Sequence, residues 1–279
     1  MRALLWLSLI VACGGGSDVP DDVLEPIPEP VVGDDWDQPT AAQTWQWQLL
    51  GTVNTSYNVD YYDIDLYDVP DATLQALRSD DRKIICYFSA GSHEDWRDDQ
   101  ADFPDAVIGK KLDGWPGERW LDVRDARVLE LMAKRLDVAV ARGCHMVEPD
   151  NVDGFQNNTG FDLSPADQLL FLQHLANAAH ERKLGILLKN GADIVADAEP
   201  WFDGAVVEQC AEYAECDRWA PFLSADKAVF QAEYSKADTA AEAEALADEV
   251  CPDAVSNNRR ALVLPLDLND AFRVDCDQR

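Results

Sequence analysis

Three carboxylates and an amide fall within six residues in Glu148-Pro149-Asp150-Asn151-Val152-Asp153, directly after the apolar run Cys144 to Val147. Carboxylates crowded where a strand gives way to a loop are tolerable if they face a wet cleft. Like charges held close also push their proton affinities apart, as acid/base chemistry requires. Two plainer readings compete. One is a solvated acidic turn. The other is a calcium loop, but counted from Asp150 its twelfth position is Phe161, where a bidentate glutamate is needed. Further along the chain, polar residues close other apolar runs: Asp63 and Asp65, the stretch Ser89 to Glu94, Lys189-Asn190, Glu208-Gln209, Glu233-Tyr234 and Asp267. Paired carboxylates across a cleft, with no Ser-His-Asp order, no phosphate loop and no metal-ligand spacing, suit glycoside hydrolysis. There one acid protonates the leaving oxygen and the other attacks or activates water.

The elements that must position these groups are short apolar runs separated by amphipathic helical patterns. Strand candidates run from Trp45 to Leu50, Val59 to Leu66, Lys83 to Phe88, Cys144 to Val147, Leu184 to Leu188, Ala205 to Val207, Ala228 to Gln231 and Ala261 to Leu266. Helical patterns span Asp71 to Arg78, Asp125 to Arg142, Ser164 to Lys183, Arg218 to Leu223 and Asp238 to Val250. Pro70 and Pro165 stand at helix starts, where a missing N–H is harmless. Strand then helix, repeated about eight times, predicts an α/β protein with a single-domain (β/α)8 TIM barrel. Catalytic groups in such barrels sit at the C-terminal ends of the strands, which is where the polar residues fall. An open doubly wound sheet is the rival, but no Gly-rich dinucleotide fingerprint follows an early strand.

The formal net charge of −30 argues against nucleic acid as a partner and favours a cationic one. Residues 1–12 read as a lipoprotein signal peptide, with Arg2 before a short apolar stretch that ends in Ile10-Val11-Ala12-Cys13, so Cys13 is the expected lipidation site. Residues 13–40 read as a flexible acidic Pro/Gly-rich linker holding eight of the 53 acidic residues, which leaves most of the charge on the body, residues 41–279. The expected location is extracytoplasmic, membrane-anchored through that lipid or else secreted. Beyond Cys13 an even set of six cysteines in an exported chain permits disulfides. Cys210 with Cys216 and Cys251 with Cys276 are the expected pairs. Cys86 and Cys144, in strand-like runs, are expected to be buried thiols. The four histidines are too scattered for a metal centre, and no cofactor is expected.

Several stretches taken together resemble glycoside hydrolase family 114, the endo-α-1,4-polygalactosaminidase-like proteins. They are Trp45-Gln46-Trp47-Gln48-Leu49, Ile85 to Ser92, Trp96-Arg97-Asp98-Asp99, Gly114 to Asp122, Glu148 to Gly154, Leu188-Lys189-Asn190 and Glu208-Gln209-Cys210. The resemblance implies a (β/α)8 barrel that cuts galactosamine-containing exopolysaccharide, with Asp150 and Glu208 as its catalytic pair. From the residues alone the roles divide the same way. Asp150, beside Asn151 and on a rim that contains Lys189, suits a charged nucleophile, and Glu208, at the end of Ala205-Val206-Val207, suits the proton donor. Glu148 is the rival for the first role. Asp65, Tyr87, Glu94, Glu148, Asn151, Asp153, Lys189, Asn190 and Tyr234 are the candidate substrate-binding residues. The expected partner is a cationic galactosamine-rich polysaccharide and the expected state a monomer. A non-catalytic carbohydrate-binding barrel, or a glycosidase for another exopolysaccharide, is the alternative.

Overall fold

The alternation of apolar runs and helical patterns becomes a parallel barrel with one excursion. The structure is a computed structural model and describes Leu24, residues 29–235 and residues 239–279. The signal peptide, Cys13 and most of the proposed linker lie outside the described residues. In chain order, β1 (Trp45–Gln48) and β2 (Tyr61–Asp65) lead to α1 (Asp71–Ser79) and β3 (Lys83–Ser89). Three short strands follow, β4 (Ser92–Glu94), β5 (Ile108–Lys111) and β6 (Glu118–Leu121), before α2 (Ala126–Arg142) returns the chain to β7 (Met146–Asp150). Then come α3 (Pro165–Glu181), β8 (Gly185–Lys189), α4 (Val195–Ala198), β9 (Gly204–Glu208), α5 (Ala220–Ser224) and β10 (Ala228–Tyr234). The chain closes with α6 (Ala240–Ser256), β11 (Arg260–Leu264) and β12 (Val274–Asp275).

β1, β2, β3, β7, β8, β9, β10 and β11 pair in that order, all parallel, while β12 lies antiparallel on the edge of β11. The seam between β11 and β1 is bridged by side chains and turns. Arg273 donates to Gln46 Oε1 at 2.6 Å and to Trp45 O at 3.0 Å, the Trp45 indole N–H reaches Arg260 O at 2.8 Å, and Leu268 O accepts from Leu49 and Leu50. The excursion β4–β6 forms its own antiparallel sheet, β4-β6-β5, at the C-terminal end of β3.

Strand periodicity decides which residues meet. One apolar layer fills the barrel: Trp45, Trp47, Tyr61, Ile85, Met146, Leu187, Val206 and Phe230 belong to it, with Trp45 stacked on Phe230 at 4.9 Å. The alternate residues, among them Ile84, Val147, Ile186 and Leu188, join Leu131, Leu136, Phe171 and Leu175 of the helices in the outer layer. The helix ends follow their sequences. Ser164 and Asp167 form a reciprocal capping box at α3 with Pro165 in its first turn, and Asp125 caps α2. Gly143 closes α2 in a left-handed conformation with φ of 73°.

Two expectations need correction. Cys86 and Cys144 are joined in a disulfide, not free thiols. The bond ties β3 to the entrance of β7 across a sequence separation of 58, a neighbour relation that depends on register after the excursion and that local spacing does not show. The other two bonds are the expected Cys210–Cys216 and Cys251–Cys276. Residues 29–40, read as the end of a flexible linker, instead form a strap under the N-terminal ends of the strands. Trp36 stacks on His180 at 4.3 Å and donates to Asp203 at 2.9 Å, Asp37 pairs with Lys83 at 2.9 Å, and Pro39 O accepts from Ala228 N at 2.8 Å. A single tryptophan supplies the apolar anchor that the acidic composition conceals.

Candidate active site

Because side chains two apart on a strand share a face, each inward apolar column ends in a polar group at the rim. Met146 is followed by Glu148 and Asp150, Leu187 by Lys189, Val206 by Glu208, and Ala232 by Tyr234. Neighbouring parallel strands bring these ends together. The Lys189 ammonium lies 2.8 Å from Glu148 Oε1, 3.1 Å from Asp150 Oδ1 and 3.4 Å from Glu208 Oε2, above the Trp47 ring at 4.6 Å. Burial opposes charge on Lys189, but Asp150, Glu148 and Glu208 outweigh it and hold its pKa well above the usual lysine value. Lys189 is therefore a permanent cation at the floor of the site.

Asp150 receives donors from three directions: Tyr87 Oη at 2.9 Å, its neighbour's backbone N–H at Asn151 at 2.7 Å, and Lys189. Its carbonyl is held as well, by the amides of Ala90 at 2.9 Å and Gly91 at 3.1 Å. Gly91 is required there, since a Cβ would stand 1.7 Å from Asn151 O. Glu208 accepts from Tyr234 Oη at 2.5 Å and from Asn190 Nδ2 at 2.9 Å, while its own N–H donates to Asn190 Oδ1 at 2.9 Å. Both phenols are pushed well above their ordinary pKa by burial and then by the carboxylate each one touches, so they remain neutral hydrogen-bond donors.

The residues after the three charged strand ends share one unusual feature. Asn151, Asn190 and Gln209 all have positive φ, at 60°, 48° and 54°. Left-handed backbone of this kind, which seven other non-glycine residues among those described also adopt, turns the chain sharply at each rim position. Behind Glu208, the loop is pinned by the Cys210–Cys216 disulfide and by Glu233, whose Oε1 accepts from Ala211 N at 2.9 Å. Cys210, Cys216 and Glu233 are also close enough to hold a metal ion, but both sulfurs are spent on their bond to each other.

Of the candidate binding residues, Tyr87, Glu148, Asn151, Lys189, Asn190 and Tyr234 converge on this site. Asp153 stands beside it, and burial followed by the charge of Asp150 pushes its carboxyl up to about 6. Asp65 and Glu94 are both buried and paired with arginine. Arg97 binds Asp65 at 2.7 Å and Glu94 at 2.9 Å, and Arg135 also reaches Glu94 at 3.2 Å, forming a buried ion cluster that ties the excursion to the barrel. Both carboxylates are engaged by Arg97, whose approach depends on the path of residues 92–121. Sequence reasoning missed Glu118, on β6. It ends a relay that runs from Asn151 Nδ2 to Ser89 Oγ at 2.9 Å, to Ser92 Oγ at 2.6 Å and on to Glu118 Oε2 at 2.5 Å. Burial is the first cause that raises the Glu118 carboxyl to about 7. Its only signal in the sequence is its place inside the stretch Gly114 to Asp122.

The profile of glycoside-hydrolase family GH114 matches residues 28–279. A crystal structure of Aspergillus fumigatus Ega3 in complex with galactosamine is similar at 41% identity, covering 89% of this chain and 100% of that one, with a TM-score of 0.82. The glycoside hydrolase domain of PelA from Pseudomonas aeruginosa is similar at 14% identity, covering 83% of this chain and 97% of that one, with a TM-score of 0.64, and bears on the fold alone. Nothing among curated proteins matches the chain.

Proposed function

The chain belongs to glycoside hydrolase family GH114, and on that premise we propose that it cuts galactosamine-containing polysaccharide internally, with Asp150 as nucleophile and Glu208 as acid/base. The observation that carries the reading is the single ammonium of Lys189 in contact with both carboxylates, at 3.1 and 3.4 Å. Those two contacts laid end to end cap the separation of the nearest oxygens at the lower edge of the roughly 6.5–9.5 Å that inverting enzymes need to admit a water. That bound admits the spacing of about 5–5.5 Å at which one carboxylate attacks directly and configuration is retained. In the first step Asp150 attacks the anomeric carbon while Glu208 gives its proton to the departing oxygen. In the second, Glu208 takes a proton from water, which displaces Asp150. Tyr87 holds Asp150 through Oδ2 and Lys189 through Oδ1, and Tyr234 with Asn190 orients Glu208.

The substrate class is supported by the galactosamine bound in the similar Ega3 structure and by the net charge of −30, which attracts a polymer bearing free amines. Three disulfides accord with work outside the cytoplasm, where the leader would tether the enzyme through a lipid on Cys13. The test is incubation with polygalactosamine and with its N-acetylated form, followed by mass analysis of released oligomers. Asp150→Asn should lower turnover by several orders of magnitude on every substrate. Glu208→Gln should still attack a substrate with an activated leaving group, and added azide should restore its second step. Full activity of Asp150→Asn on polymer would end the assignment. Release of single sugars from one chain end would remove the internal mode of cleavage.

A further inference from the structure

Three oxygen atoms beneath the reactive pair have no donor among the described residues: Oδ1 and Oδ2 of Asp63 and Oε2 of Glu148. Both residues are fully buried, at 0% exposure, on β2 and β7. Their carboxyl groups lie within hydrogen-bonding reach of each other. Two carboxylates, however, bring four acceptors and no donor to such a contact. Buried together in the ionised form they would lose their hydration, repel each other and gain nothing in exchange. The one cation nearby is already committed, since Lys189 spends its contacts on Glu148 Oε1, Asp150 and Glu208.

We propose that Asp63 carries a proton at neutral pH and donates it to Glu148, which makes Asp63 a positioning residue for the hydrolytic pair. The chain of contacts runs upward. Asp63 fixes Glu148, Glu148 fixes the ammonium of Lys189, and that ammonium spaces Asp150 from Glu208. The titratable and charged groups that face the Asp63–Glu148 pair are Lys189 from β8, Asp150 on β7, Tyr87 from β3, Glu208 from β9 and Tyr234 from β10. Among them only Lys189 is positive. Burial first, and then the charge of Glu148, push the Asp63 carboxyl well above the usual range, in keeping with a retained proton. The positioning role rests on the reading of Asp150 and Glu208 as the reacting groups, whereas the proton on Asp63 does not depend on any substrate.

The experiment has two readouts on the full protein. The first is carbon NMR of a sample labelled at aspartate carboxyls, titrated through neutral pH, with Asp63→Asn identifying the signal. One aspartate should stay protonated at pH 8, where Asp153 has ionised, and its signal should vanish in the variant. The second is turnover of polygalactosamine. Asp63→Asn keeps a donor in place and should remain within about threefold of the parent, whereas Asp63→Ala removes the donor and should lower kcat by about tenfold or more with little change in KM. An ionised Asp63 at neutral pH would overturn the proposal, and so would Asp63→Asn falling as far as Asp63→Ala. Should Asp63→Asn fail to fold, the labelled parent still decides, because a titration with no aspartate protonated at pH 8 refutes the proton. An inactive protein with the protonated signal intact would refute the hydrolase reading instead and leave the shared proton standing.

Discussion

Replacing Lys189 by methionine removes one charge and leaves three. The side chain is buried, at 2% exposure, with carboxylate oxygens at 2.8, 3.1 and 3.4 Å. Each contact alone would attract by about 5–6 kcal/mol at an effective dielectric near 20, but the carboxylates repel one another and proton uptake offsets part of the loss. Removing one partner from a buried ion pair typically destabilises by about 3–5 kcal/mol, and that is the expected loss at pH 8. At pH 5 it should be clearly smaller. Burial is the main cause that raises Glu148 from 4.5 to about 7, and Lys189 acts against it. A carboxyl whose native pKa is raised binds its proton more tightly folded than unfolded, so its contribution to stability falls as pH rises between about 4.5 and 7. Without Lys189 that window extends upward and the loss deepens, whereas at pH 5 Glu148 is already neutral. Urea unfolding of parent and Lys189→Met at the two pH values measures the difference. Equal penalties at both, or none, would refute the view of Lys189 as the counter-charge of this ring.

Two more perturbations test the surroundings. Cys210→Ser with Cys216→Ser opens a loop with a sequence separation of 6, worth about 2 kcal/mol in thermal or urea unfolding. Turnover should fall further than that stability change explains, because Gln209 and Ala211 hold the end of the strand that carries Glu208; unchanged kcat would detach the disulfide from the site. Association with a cationic glycan should be fast at low salt and weaken as ionic strength rises, since screening shortens the field of a chain of net charge −30 to about 8 Å at physiological salt. Stopped-flow binding of free-amine and N-acetylated polymers compares the two, and equal salt sensitivity would remove charge steering.

The alternating strands, helix caps and barrel order were legible because their signals are local. Pro165 after Ser164 with Asp167 three residues beyond the cap, or Glu208 closing Ala205-Val206-Val207, can be read without knowing any neighbour. Period-two alternation likewise placed Asp150, Lys189 and Glu208 at one end of a barrel, and the likeness of their motifs to a known family named the pair. The Cys86–Cys144 bond, the strap at Trp36 and the capture of Asp65 and Glu94 by Arg97 were not legible, because each joins segments whose approach is fixed by the register of strands or the path of the β4–β6 excursion. The sequence by itself determined the barrel, the family and the residue types on the rim, since those follow from local periodicity and motif order. Only the tertiary structure decided that one ammonium serves three carboxylates while Asp63 and Glu148 are left facing each other. Charge neutralisation and desolvation are properties of the assembled interior, where strands distant in the chain become neighbours away from water.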